Sequence, residues 1–249
     1  DKENKLLKGY SNKINIEKYP KFYVDYVNRT NTKINNYELS DYLNNTQDKF
    51  SEEYFSTLIY FGQDAPVSIT DRVLKNKQKY IDLYGEKDVE ILFYFLTSAK
   101  FNVAISELDQ EKYDEAVAFT KKALSDEWVN DLLPGYEKSY LKAQNKWDEV
   151  FEINRRLKDK GEFDNGNINH FSWQVYERCD DQDVIKNCIE WMKEVTAQEP
   201  TYAYLDTYAH LLYKNGNEEE AKYIAKLAIE AAKKENKSTK ELEALLNKM

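Results

Sequence analysis

The stretch Pro200–Asn236, PTYAYLDTYAHLLYKNGNEEEAKYIAKLAIEAAKKEN, decides the fold. Its first half is apolar at helical spacing, Gly216 marks a short turn, and its second half is an amphipathic helix. Small residues stand at Ala209, Ala221 and Ala228, where two antiparallel helices would have to approach closely. A helical hairpin of this kind cannot bury its own apolar face, so it predicts similar hairpins before it.

Reading backwards finds them. EEEAKYIAKLAI carries Ala221 and Ala228, VIKNCIEWMKEV carries Cys188 and Val195, KWDEVFEINRRL carries Trp147, Val150 and Leu157, and EKYDEAVAFTKKAL carries Tyr113, Ala116 and Ala123. The intervals are 34 residues from Ala116 to Val150, 38 from Val150 to Cys188 and 33 from Cys188 to Ala221. The polar stretch KDKGEFDNGN, Lys158–Asn167, accounts for the long one as a loop between hairpins. A period of about 34 residues with this layout resembles a tetratricopeptide array. Four such hairpins are expected over residues 89–249. The first of them opens with a long helix, Val89–Leu108, that is apolar almost all round and so buried on two sides. A last helix, Lys240–Lys248, capped by Ser238-Thr239, covers the exposed face of the final hairpin.

Residues 1–88 read as a separate helical region. Residues 1–16 have weak periodicity and are expected to fray. Helices are expected over Glu17–Arg29, over a short segment ending near Asn44, from an N-cap at Ser51 to Gly62, and over Arg72–Tyr84. Thr70 or Asp71 would cap the last of these and Gly85 would end it.

Composition agrees with an all-α chain. Seven Gly and four Pro in 249 residues are too few for a turn-rich β fold. The net charge of −9 leaves no excess of Lys or Arg to displace counterions, which argues against nucleic acid as partner. No apolar run approaches the roughly 20 residues that span a bilayer, so no transmembrane segment is expected. The start at Asp1, without Met or an apolar leader, is expected of a processed product or a trimmed segment. Twenty Tyr, 11 Phe and 4 Trp suit shallow helix–helix seams, where a ring is buried and a hydroxyl reaches a partner; ligand stacking is the alternative use.

Three segments resemble a family. DRVLKNKQKYIDLYGE (71–86), NHFSWQVYERCDDQDVIKNCIEWMKEV (169–195) and PTYAYLDTYAHLLYKNGNEEEAKYIAKLAIEAAKK (200–234) are similar to the helical C-terminal region of exported thioredoxin-like proteins of Gram-negative bacteria. The likeness spans roughly residues 40–236, and YLDTYA…LLYKNGN…EA is its most specific part. It implies a tetratricopeptide-like tail and a periplasmic or envelope location. No Cys-x-x-Cys pair and no βαβ pattern occurs, so redox activity does not carry over to this chain.

Few residues point to chemistry. Cys179 and Cys188, at the end of one helix and early in the next, are either small buried thiols or a structural disulfide. His170 and His210 are too few for a zinc site, so no metal and no cofactor is expected. With the hairpins superposed, both fall on the first helix of a repeat, together with Trp173, Glu177, Asp206, Tyr213 and Lys214. These seven residues would line a groove for a protein or peptide segment, as aromatic anchors ringed by polar groups; ordinary solvated and seam positions are the other reading. Asp180–Asp183 and Glu218–Glu220 read as helix N-terminal carboxylates. Phosphate loops, nucleophile elbows and His-Glu-x-x-His helices do not occur. The expected function is a non-catalytic interaction scaffold. A glycan- or small-ligand-binding helical envelope protein is the alternative, and a helical hydrolase or lyase stands behind both.

Overall fold

The structure, a computed structural model, describes residues 18–249. The segment expected to fray, residues 1–16, lies outside the described residues. Among the described residues every regular element is a helix and no strand occurs, so the protein is all-α. Two compact units are present, one ending at Ala143 and one running Gln144–Met249. The boundary expected near residue 88 falls inside the first.

The first unit contains α1 (Lys21–Val27), α2 (Asn36–Asn45), α3 (Glu52–Phe61) and a 3₁₀ turn (Gly62–Asp64). It continues with α4 (Val67–Lys75), α5 (Lys77–Tyr84), α6 (Glu86–Glu107), α7 (Gln110–Ala123) and α8 (Asp126–Ala143). Side-chain caps fix three of the starts: Asn35 accepts from Tyr37 N, Ser51 from Tyr54 N and Asp109 from Lys112 N. The helix expected over Arg72–Tyr84 is two helices. It begins earlier, behind Pro66, and breaks at Asn76, whose side chain donates to Arg72 O at 2.8 Å. Thr70 and Asp71 therefore lie inside α4 and cap nothing; Thr70 Oγ1 returns to Val67 O, and Asp71 pairs with Lys100 at 3.0 Å. Gly85, at φ +91, ends α5 in a conformation that a side chain would resist.

Helix α6 is the centre of this unit and packs on α3, α4, α5, α7, α8 and the 3₁₀ turn. By length and composition it could cross a membrane, and half of that stretch is buried inside the unit, as in the core helix of a globular fold. Val89, Leu92, Phe93 and Leu96 are wholly buried there, against Phe55, Leu58 and Phe61 of α3 and Ile69 and Val73 of α4. Burial at roughly 25 cal/mol per Å² makes these side chains the main stabilising term. Tyrosines do the polar work. The segment Leu43–Phe50 has few backbone partners of its own, and side chains supply them: the Arg72 guanidinium (2.9 Å) and Lys49 Nζ (3.1 Å) meet Leu43 O, and three hydroxyls join them. Tyr54 donates to Leu43 O (3.2 Å), Tyr80 to Lys49 O (2.6 Å) and Tyr84 to Phe50 O.

The second unit contains α9 (Trp147–Asp159), α10 (Asn165–Arg178), α11 (Gln182–Gln198), α12 (Tyr202–Lys214), α13 (Glu218–Lys234) and α14 (Lys240–Leu246). The loop expected over Lys158–Asn167 is shorter at both ends, because Asp164 caps α10 through Asn167 N at 2.8 Å. Asp181 caps α11 through Asp183 N and Val184 N, and Asp183 stands in its first turn. Among the described helices, α12 and α13 share the most extensive contact. Ala209, Ala221, Ala225, Ala228 and Ala232 are all fully buried, and with no atoms beyond Cβ they let the two backbones approach. Gly216, at φ +84, closes the turn as the left-handed residue after α12. Helix α10 packs on both α11 and α12, so the two first helices of successive hairpins lie side by side. Leu242 and Leu245 bury α14 against α13.

Candidate functional site

Positions 202, 206, 210 and 213 recur at helical spacing, so Tyr202, Asp206, His210 and Tyr213 share one face of α12. Helix α10 contributes Trp173 and Tyr176 beside it. The rings converge on His210: Trp173 meets it edge-on at 5.3 Å between centroids and Tyr176 at 4.8 Å, while Trp173 and Tyr176 are 5.1 Å apart. These are favourable quadrupole geometries. Trp173, Tyr176, Tyr202 and Tyr213 are each half-buried, so this seam keeps ring surface open to solvent.

His210 is itself buried. Its Nδ1 lies 2.9 Å from the Asp206 carbonyl and 3.1 Å from Asp206 Oδ1. The single N–H is directed to the carbonyl, so the carboxylate contact is an ion-pair approach. Oδ1 is closed off from solvent, with the imidazole as its ion-pair partner. Burial pushes the imidazolium down. Its bonds to Asp206 and the charges of Asp206 and Glu241 push it up further, so the net shift is upward. Burial and the charges of Asp206 and Glu177 likewise raise the Tyr176 phenol, and burial with Asp206, Glu241 and Glu235 raises that of Tyr202.

The seven residues expected to line a groove do not act alike. Trp173, Asp206 and His210 meet in one cluster. Tyr213 is half-buried beside it, and Glu177 is exposed at its edge. His170 is exposed one turn before Trp173 and pairs with Gln174 Nε2 at 2.8 Å. Lys214 belongs to the scaffold. Its Nζ donates to Tyr176 O (2.7 Å) and Val175 O (3.2 Å), covering carbonyls in the last turn of α10. Tyr176 and Tyr202 are absent from the residues expected on sequence. Their signal was available, since Tyr176 follows Trp173 by three residues and Tyr202 precedes Asp206 by four, both same-face spacings.

The possible disulfide is not formed. Cys179 and Cys188 are free, wholly buried thiols, the first at the C-cap of α10 and the second inside α11 facing Ser172. Burial raises both thiols, Cys188 to about 12, which keeps them protonated and unreactive. Among the described residues no group of three or more His, Cys, Asp or Glu could hold a metal ion. Two cavities lie away from the ring cluster. One, of about 270 Å³, is lined by Pro200, Leu205, Leu227, Glu230 and Lys234. The other, of about 250 Å³ in the first unit, is lined by Val67, Val103, Lys112 and the buried Lys100, whose ammonium Asp71 already neutralises. The first cavity also carries Glu235 beside Glu230, and Glu235 Oε1 accepts from Tyr202 N at 2.9 Å. In comparisons with protein families, curated proteins and solved structures, the chain matches none.

Proposed function

We propose that this chain is a non-catalytic interaction module that holds an extended peptide or protein segment along the face shared by α10 and α12. One observation carries the reading. Trp173, Tyr176 and His210 form a half-buried ring cluster rimmed by the exposed His170 and Glu177. Trp and Tyr with an apolar body and open edges are the residues that anchor partners at interfaces. The side-by-side stacking of α10 and α12 supports a tetratricopeptide-like array, whose first helices line a common binding surface. The likeness of residues 71–86, 169–195 and 200–234 to thioredoxin-associated tails supports a place in the periplasm or envelope, with this module serving a thioredoxin-like protein.

A displayed library of random peptides selected against the full chain tests this reading. Enriched peptides are expected to bind the parent protein and to lose at least about tenfold in affinity, or ~1.4 kcal/mol, against Trp173→Ala. Selected peptides that bind Trp173→Ala as tightly as the parent would overturn the assignment of this face.

A further inference from the structure

We infer that the cavity of about 250 Å³ in the first unit binds a small neutral molecule, one that carries a carbonyl oxygen on a short branched aliphatic body, with the Lys100 ammonium as its donor. The cavity belongs to the unit ending at Ala143, so it stands or falls apart from the peptide-binding face.

Three helices build the cavity. Val67 opens α4, Lys100 and Val103 stand three residues apart on one face of α6, and Lys112 and Glu115 keep the same spacing on α7. Lys100 makes it more than a gap in packing. Its side chain is only 6% exposed, and an ammonium carries three N–H donors. Among the described residues, Asp71 Oδ1 at 3.0 Å is the one oxygen it meets, and the Phe119 ring, 5.2 Å from Nζ to its centroid, offers a π face instead of a lone pair. Asp71 therefore settles the charge and leaves N–H donors to be met from the cavity. Donors held away from water without an acceptor are costly, and a carbonyl oxygen has two lone pairs to give them. Charge decides against an anion. Asp71 pairs with Lys100, Glu107 and Asp109 pair with Lys112, and the exposed Glu115 lies on the same wall, so carboxylates already outnumber the two ammonium groups. A cationic head group would find those carboxylates but leave the Lys100 donors unmet. Val67 and Val103 supply apolar wall, and a volume just under the roughly 300–1,000 Å³ of pockets for drug-sized ligands limits the body to a few carbon atoms.

Saturation-transfer NMR titrations of the full chain with isovaleramide, isovalerate and isoamylamine, which share one aliphatic body and differ in head group, test this assignment. Isovaleramide is expected to bind with a dissociation constant on the order of 1 mM, at least about threefold tighter than either charged probe. Val103→Phe fills the cavity, leaves the Lys100–Asp71 pair in place, and is expected to weaken isovaleramide at least about tenfold. Lys100→Met keeps the stem and removes the donors, while Asp71, 53% exposed, stays hydrated; it is expected to erase the preference for the amide. Glu115→Gln is expected to narrow the gap between isovaleramide and isovalerate. Isovalerate or isoamylamine bound as tightly as isovaleramide by the parent overturns the neutral-ligand assignment. Saturation transfer to none of the three, or undiminished isovaleramide binding by a Val103→Phe protein that melts like the parent, overturns the site itself. Each of these outcomes leaves the α10–α12 face to the peptide selection.

Discussion

Lys214→Met is expected to destabilise the unit Gln144–Met249 by about 2–3 kcal/mol. The figure follows from what the ammonium touches. Its side chain is only 19% exposed, and Nζ donates at 2.7 Å to Tyr176 O and at 3.2 Å to Val175 O. Val175 O also receives Cys179 N at 3.0 Å, so it stays satisfied after the change. Tyr176 O belongs to the last turn of α10 and loses a charge-assisted bond worth roughly 1.5–3 kcal/mol. The favourable interaction of a cation with the end of the helix adds about 0.3–1 kcal/mol. Asp180, 3.9 Å away and fully exposed, contributes little. Methionine keeps most of the aliphatic stem, which isolates the loss of the ammonium. For a unit of this size the melting midpoint should fall by roughly 10 °C or more. Tryptophan emission reports it selectively, because Trp147, Trp173 and Trp191 lie in this unit and only Trp128 lies outside. A Lys214→Met transition within about 2 °C of the parent would refute the capping assignment and return Lys214 to the residues available to a partner.

Three further outcomes follow from the same unit. The folded-state pKa of His210 is raised, so protonation contributes stability that is complete below about pH 6.5 and fades as pH rises through the folded value. The stability gap between the parent and His210→Gln should therefore narrow from pH 6 to pH 9 in urea titrations; a gap independent of pH refutes the coupling to Asp206. Thiol titration should find two reactive groups in denatured, unreduced protein and almost none in native protein, since both cysteines are buried; one or none in the denatured sample would mean a bond. Ala225→Leu, at a fully buried position of the α12–α13 seam, should cost about 1–3 kcal/mol or more in a denaturant melt. Tyr223→Leu, two residues away and 62% exposed, should cost almost nothing, and equal effects would place the seam elsewhere.

How much of this could be read from the residues depends on the kind of constraint. Close approach of two backbones is steric and admits only small side chains, so Ala209, Ala221 and Ala228 gave away the last hairpin and a register for the earlier ones. Caps were equally legible at Ser51 and Asp181, where a short polar side chain precedes a periodic apolar run. The break at Asn76 was not, because neither Gly nor Pro marks it and it depends on a side chain folding back to Arg72 O. Pro134-Gly135 is a pair that ordinarily interrupts a helix, yet α8 runs through it. At the site, periodicity put Asp206, His210 and Tyr213 on one face, but periodicity says nothing about what a long side chain reaches. Lys214 looked like part of a surface and instead turns to carbonyls nearly 40 residues back in the chain. The cysteines show the same limit, since spacing allowed a bond that the packing does not make.

The tyrosine bonds of the first unit bear on the order in which it assembles. The carbonyls of Leu43, Lys49 and Phe50 are met by hydroxyls 11, 31 and 34 residues further along. Two of the three donors, Tyr80 and Tyr84, stand on α5, so the segment cannot settle until α5 has docked beside α3. Its order is a product of long-range closure, and such contacts form late on the folding route. Tyr80→Phe should accordingly act on the escape from the native state, raising the unfolding rate while the folding rate stays nearly constant. The segment between α2 and α3 is then the bolt of this unit: it is shot last and withdrawn first.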